Sequence, residues 1–330
     1  MRSTFWRWAA ARGSPSRHAR GRRSSAWTAL AAAACVAAAS ASGRDAAAPD
    51  ETLMPLVGEI RTALVEPDDT LLDVAYRNRL GFESVARMNP GVDPWIPEPG
   101  TIVRLPTRVV LPAVDPEGLV INVPEMRLYD FSVEPGPEIL AAAVGDAEDP
   151  TPIGDFRIGK KRTDPFWNVP DSIRAEKPEL PAVVPPGPEN PLGGRWLTIG
   201  SSSYGIHGTN VRWSIGRMAT HGCVRLYEDD VQRLFERIPT GTRVQIIYQP
   251  YLWGRSGDRI YFSAHPDLYG RHPDRLASAL HVPRALGLLE AIDVERVWRA
   301  VEEVRGEPIE VGRIPDASIG RRGATSSPPS

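Results

Sequence analysis

Residues 206–226 read IHGTNVRWSIGRMATHGCVRL. The stretch opens on a β-like run ending at His207, passes through Gly208-Thr209-Asn210, and closes on His221-Gly222-Cys223, after which the pattern turns helical. Across 227–238 the apolar residues Val231, Leu234, Phe235 and Ile238 fall at i, i+3, i+4 and i+7. Glu228, Asp229 and Asp230 occupy the first turn, and Pro239 and Gly241 follow the end. One apolar stripe on an otherwise polar helix needs a sheet or core to receive it. The spacing therefore places Cys223 just ahead of a helix N-terminus, where free amides and the positive dipole end favour a thiolate.

Outward from this stretch the patterns are mostly β. Residues 119–123 and 126–131 are strand-like runs divided by Pro124-Glu125, a hairpin pattern, and 139–144, 154–159 and 195–199 are further short strands between Pro/Gly-rich turns. Val244, Ile246 and Tyr248 alternate downstream. Segment 180–194 holds five prolines and reads as a long surface loop of the kind that contacts substrates. Aromatic Tyr204 and Trp167 either line a groove or belong to the core.

Composition narrows the class. The chain has 330 residues, is 24% charged and has a mean hydropathy of -0.27, which excludes wholesale disorder and a polytopic membrane protein. Seven of the 39 basic residues lie in the first 41 positions, where no acid occurs, so the remainder is net acidic and a poor match to a phosphate backbone. Nucleic acid is thereby excluded as a partner. The cysteines are Cys35 and Cys223, which can build neither a disulfide framework nor a CxxC zinc site.

The basic start, an apolar run of about 16 residues and Ala39-Ser40-Ala41 make 1–41 an export signal. The run falls short of the roughly 20 residues of a spanning helix, so no permanent membrane segment is expected. A disordered Arg/Ala-rich tail and lipidation of Cys35 are the other readings, the latter opposed by Ala32 where a large aliphatic belongs. Cleavage near Ser42 leaves Cys223 as a lone thiol, either a buried small residue or a reagent.

Residues 42–57 read as a linker and 58–106 as a compact unit. There Thr70 and Asp73 are spaced as a capping box, and Leu71, Val74 and Ala75 share a helical face. A second short helix at 82–88 is halted by Asn89-Pro90-Gly91, and 101–105 alternates as a strand ending at Pro106. Beyond 250, Val294, Val297, Trp298, Val301 and Val304 fall at helical spacing, so 251–312 is read as a helical extension and 313–330 as a disordered tail.

A thiol with an ordinary pKa of about 8.5 needs a base within hydrogen-bond reach to act as a nucleophile. His265, His272 and His281 lie in a polar, Pro-containing region and read as solvated. His207 and His221 remain. A metal site built from both and Cys223 would lack a fourth ligand, and its spacing matches no usual zinc pattern.

Residues 206–210, Ser214-Ile215-Gly216 and 220–226 together resemble the signature of the YkuD (ErfK/YbiS-type) L,D-transpeptidase catalytic domain. The resemblance extends through NVPEMRLY at 122–129, Thr151-Pro152-Ile153-Gly154, PGPENPLG at 186–193 and Gly241-Thr242-Arg243-Val244, covering roughly 118–250. Asp69-Thr70-Leu71, the paired helices, Asn89-Pro90, Pro99-Gly100 and Pro106 resemble a LysM module, a βααβ unit that binds N-acetylglucosamine-containing glycans; a ligand-free helical spacer is the other reading of 58–106.

The resemblance implies a mainly β, sandwich-like catalytic domain over 107–250 with one or two packed helices, beside a small α+β LysM-like module, and no cofactor or metal. It assigns Cys223 as nucleophile, His207 as base and the Gly208 carbonyl as the group orienting the imidazole. Amides of Gly222 and Cys223 are expected to hold the oxyanion, and Arg225, Tyr204 and Thr209 to contact substrate. Arg225 is equally suited to an ion pair with the acidic first turn of the helix. The partners implied are peptidoglycan stem peptides and glycan in the periplasm or cell envelope, with a lysine-bearing envelope lipoprotein as one acyl acceptor. A hydrolytic L,D-carboxypeptidase, a tether-releasing amidase and a noncatalytic peptidoglycan-binding protein are the alternatives.

Overall fold

The computed structural model describes residues 52–315, so the leader at 1–41 and most of the expected tail lie outside the described residues. The described chain begins with β1 (Met54–Val57) and β2 (Arg61–Leu64), followed by α1 (Leu71–Arg77), α2 (Phe82–Met88) and β3 (Ile102–Leu105). Helix α1 starts at the expected capping box: Thr70 Oγ1 accepts the Asp73 N–H at 3.3 Å, and Asp73 Oδ2 accepts the Thr70 N–H at 3.1 Å. Helix α2 stops at Asn89. Its buried amide donates to the Val85 and Arg104 carbonyls and accepts the Arg104 N–H, each at 2.8 Å, so the residue that ends the helix also ties it to β3. Strands β2 and β3 pair antiparallel from Arg61 opposite Leu105 to Leu64 opposite Ile102, which gives 58–106 a βααβ order around its own core of Leu71, Val74, Phe82, Val103 and Leu105.

After β4 (Val109–Val110) come β5 (Leu119–Asn122), β6 (Arg127–Asp130), β7 (Glu138–Gly145), β8 (Gly154–Thr163), β9 (Trp167–Asn168), α3 (Asp171–Glu176), β10 (Val183–Val184) and β11 (Arg195–Ile199). Then follow β12 (Gly205–His207), β13 (Met218–Thr220), β14 (Val224–Leu226), α4 (Glu228–Arg237) and β15 (Arg243–Ile247). Nine of these strands form one sheet in the order β13-β7-β14-β12-β11-β8-β15-β5-β6, and β6 pairs again with β7. The sheet thus curls back on itself, and the sandwich-like expectation is realised as one rolled sheet. Inward residues such as Ile121, Leu128, Leu197, Ile206, Val224 and Ile246 fill its core. Helix α4 adds Val231 and Leu234 to that core, each fully buried and worth roughly 1.5–3 kcal/mol. The segment read as a surface loop contains β10, which pairs with β9.

The C-terminal part differs from the sequence reading. Strands β16 (Tyr251–Ser256) and β17 (Arg259–Ala264) form a hairpin, followed by α5 (Arg275–Ala279), α6 (His281–Ala285), α7 (Val294–Glu303) and β18 (Ile309–Arg313). Residues 251–312 are therefore not a helical extension: they build most of a five-stranded sheet, β18-β17-β16-β1-β4. Residues 54–57, assigned to the linker, supply β1 of that sheet. A second core of Trp253, Ile260, Phe262, Val297 and Val301 accounts for the first departure, and a smaller one of Val110, Leu252 and Tyr261, against which Met54 and Leu56 pack, accounts for the second. His265 is likewise buried rather than solvated, with its Nε2 3.1 Å from Ser263 Oγ and 3.6 Å from the buried Glu125 carboxylate. Among the described residues no helix is long and apolar enough to cross a membrane.

Candidate active site

Strands β12 and β14 run parallel, with Ile206 opposite Val224 and His207 opposite Arg225. Ile206 and Val224 point into the rolled sheet's core. Side-chain alternation therefore turns Gly205, His207 and Arg225 to the opposite face, together with Cys223 just ahead of β14. The two residues singled out in the sequence, 16 positions apart, thus become neighbours across one strand pair.

The turn at Cys223 is closed by Thr220, whose Oγ1 donates to the Cys223 carbonyl at 2.6 Å. Gly222 has φ of +91°, and a Cβ there would lie 2.4 Å from the Tyr204 ring, so both the backbone and the space demand glycine. Among the described residues the N–H groups of Gly222 and Cys223 enter no turn hydrogen bond. Tyr204, half-buried, forms the wall behind this turn.

His207 is 2% exposed. Its Nδ1 lies 2.6 Å from the Gly208 carbonyl, which assigns the proton to Nδ1 and leaves the Nε2 lone pair as the basic position. The Trp196 indole stacks on the ring with centroids 5.5 Å apart. Burial, reinforced by the Arg225 guanidinium, pushes the imidazole down to about 3, against the opposing pull of the Gly208 and Leu192 carbonyls. Burial also pushes the Cys223 thiol up, while the Gly205 amide and Arg225 draw it down. The resting pair is therefore a neutral thiol beside a neutral imidazole, and no hydrogen bond joins the two among the described residues.

This corrects the expected activation at a helix terminus. Strand β14 separates Cys223 from α4, and desolvation outweighs the groups that favour the thiolate. Of the two readings of Arg225, the ion pair with the acidic first turn is not formed among the described residues. Arg79 pairs with Asp229 and Asp230, Arg233 also pairs with Asp230, and Glu228 Oε1 accepts the Gly194 N–H at 2.9 Å. Arg225 is left half-buried, its Nε without a hydrogen-bond partner among the described residues, facing Cys223 and His207. Buried Thr209 turns its Oγ1 to the Val211 N–H at 2.9 Å, stiffening the loop after His207. Trp167 lies half-buried on β9. Exposed His221 points its Nε2 toward Asp149 and Glu176, each 3.9 Å away.

Three further residues shape the site. Trp196 covers the imidazole, and Glu228 braces Gly194 from the first turn of α4. Asn190, buried in the proline-rich segment, accepts the Leu192 N–H at 2.9 Å and donates to the Pro165 carbonyl at 2.8 Å, which fixes the backbone whose Leu192 carbonyl faces His207. The sequence reading of this segment, a surface loop of the substrate-contacting kind, does not single out Asn190. The contacts of Trp196 and Glu228 are made across the sheet and leave no local pattern.

A thiol just ahead of one parallel strand and an imidazole on its neighbour, with the Gly222 and Cys223 amides in the thiol's own turn, are the parts that an acyl-transfer site of the cysteine-nucleophile class requires. The model of the YkuD L,D-transpeptidase catalytic domain matches residues 116–246. Probable L,D-transpeptidase ErfK/SrfK of Escherichia coli K12 is 32% identical over 271 residues, covering 78% of this chain and 87% of that protein. The chain belongs to the YkuD family of L,D-transpeptidases. Probable L,D-transpeptidase YbiS of Escherichia coli K12 is 39% identical over 203 residues, 59% of this chain, and the match spans 66% of that protein's length, just under two thirds. Among solved structures, an L,D-transpeptidase from Mycobacterium smegmatis aligns with a TM-score of 0.32 and 15% identity, over 45% of this chain and 63% of that one.

Proposed function

We propose that the protein is an exported peptidoglycan L,D-transpeptidase in which Cys223 is the nucleophile and His207 the general base. The observation that carries the reading is the strand register that brings both residues to one face beside the Gly222 and Cys223 amides, which enter no turn hydrogen bond among the described residues. The thiol proton passes to His207 Nε2 as sulfur attacks the carbonyl on the L-centre of the third stem-peptide residue. The Gly222 and Cys223 amides receive the oxyanion. Collapse breaks the bond to D-Ala, whose amine leaves with the proton from His207, and a thioester on Cys223 remains. An acceptor amine then attacks, gives its proton through His207, and the thiol is regenerated. A diaminopimelate side-chain amine yields a 3-3 cross-link, and a lysine of an envelope lipoprotein yields a covalent tether.

Burial holds the imidazole near 3, so at neutral pH it is unprotonated and its Nε2 lone pair is available to the thiol proton; so weak a base takes that proton only as the Gly222 and Cys223 amides stabilise the oxyanion that forms with it. Arg225, with an unpartnered Nε at the site, is suited to clamp a stem-peptide carboxylate. The βααβ unit at 58–106 is a LysM-like module that holds the enzyme on glycan, raising the local concentration of stem peptides. Incubating the protein with disaccharide tetrapeptides should give D-Ala, a thioester at Cys223 and cross-linked dimer by mass spectrometry. Hydrolysed tripeptide alone would assign it as a carboxypeptidase, and no product at all would leave a binding protein.

A further inference from the structure

The βααβ module is packed against the segment that joins His207 to Cys223. Tyr76 meets Tyr227 edge to face with centroids 5.4 Å apart, and the Tyr227 hydroxyl donates to the Leu80 carbonyl at 2.9 Å. Arg79 pairs with Asp229 at 2.9 Å and with the wholly buried Asp230. The Phe82 N–H donates to the Ile215 carbonyl at 3.3 Å, and the Arg217 guanidinium lies 4.4 Å above the Phe82 ring and 5.7 Å from Trp95. Gly81 and Gly216 touch backbone to backbone: a Cβ on Gly216 would fall 2.3 Å from Gly81 Cα, and one on Gly81 would fall 2.9 Å from Gly216 Cα.

All of these contacts land on 215–217 and 227–230, the crossover between β12 and β14 and the start of α4. That crossover has little regular structure of its own, a single turn at Arg212–Ser214 and the short β13. On its inner side the Gly216 N–H donates to the Ala142 carbonyl of β7, the strand that pairs with β14. Gly216 is thus clamped between the sheet and the module. A module serving only to hold the protein on glycan would not need to meet this segment at all.

We infer that the module is a built-in support of the active site: Arg79, Gly81 and Phe82 are positioning residues that fix the crossover, and through it the Cys223 turn relative to His207. The inference rests on Cys223 being the nucleophile. Its test uses the full chain and soluble substrates, for which anchoring on glycan is irrelevant. Acylation of Cys223 by a disaccharide tetrapeptide and by a carbapenem would be followed by intact mass in wild type, Arg79→Ala, Arg79→Lys and Gly81→Val, with near-UV circular dichroism reporting the module's packing. The expected result is a roughly ten- to hundredfold lower acylation rate constant in Arg79→Ala and Gly81→Val at nearly unchanged half-saturation, with Arg79→Lys recovering most of it. Wild-type rates in both variants overturn the inference. Should Gly81→Val also lose its aromatic dichroism, Arg79→Ala decides alone, and a wild-type rate there overturns it. Failure of the wild-type protein to be acylated would instead defeat the assignment of Cys223.

Discussion

Arg225 stands opposite His207 in the parallel ladder, and its one charge lowers the pKa of both the imidazole and the Cys223 thiol. It therefore adds to burial in keeping the imidazole unprotonated, and makes the thiol easier to ionise. Replacing it with a neutral side chain of similar reach should undo both effects. In Arg225→Gln the thiol is expected to ionise at higher pH, and alkylation of Cys223 by iodoacetamide at pH 8 should slow several-fold. Intact-mass time courses at a series of pH values measure this. An unchanged profile would remove Arg225 from the electrostatics of the site.

Burial dominates the wild-type thiol, which has a consequence for its own pH dependence. With the thiol above its ordinary value and the imidazole at about 3, neither group titrates between pH 5 and 8. Alkylation by iodoacetamide should accordingly rise with pH through this range and continue rising past 9. A plateau at pH 7 or below would mean a thiolate already formed in the resting protein, the behaviour expected of a cysteine at a helix terminus.

The elements legible in the sequence are those whose cause is local. The Thr70/Asp73 capping box, the stripe of Val231 and Leu234, and the hairpin at Pro124-Glu125 each name an element within a few residues of its observed bounds. The closure of the sheet was not legible, because β7 pairs with β6, β13 and β14, and two of those partners lie more than seventy residues away. Strand β1 is four residues with a proline, and its strand character comes from pairing with β16, two hundred positions on, and with β4. The β16–β17 hairpin does leave a mark: Ser256 pairs with Arg259 across Gly257-Asp258, a two-residue turn of favoured composition between two short apolar runs. At the site, Cys223 and His207 can be singled out from the sequence, but their ionisation cannot be read there, since it is set by burial, to which the Trp196 ring contributes, and by the Arg225 charge, all products of the folded sheet.

Acid should weaken the fold through its buried histidines. His207 has a folded pKa of about 3 against 6.5 when exposed, so between these values the unfolded chain binds more protons and stability rises with pH. The contribution is complete above about 6.5 and is lost as pH falls toward 3. His265, also forced down by burial, acts in the same direction, while the raised pKa of buried Glu125 opposes them. One such histidine contributes a slope of about 1.4 kcal/mol per pH unit inside its window. Urea unfolding between pH 6 and 4 should therefore show a slope in His207→Gln that is shallower by up to about this amount. An identical slope would place a charged imidazole in the folded protein.

The two histidines near Cys223 can be told apart by activity. His207 sits on the strand paired with β14, on the thiol's face, buried and held in one tautomer by the Gly208 carbonyl. His221 is closer in sequence, yet the turn around Gly222 directs it to solvent, toward the carboxylates of Asp149 and Glu176. Its proximity is therefore of the chain and not of the reacting groups. Removing a general base typically costs on the order of 10² to 10⁴ in rate. His207→Ala should show a loss of that size in carbapenem acylation of Cys223 followed by intact mass, whereas His221→Ala should retain a substantial part of the wild-type rate. The assignment fails if His221→Ala is the more damaged of the two.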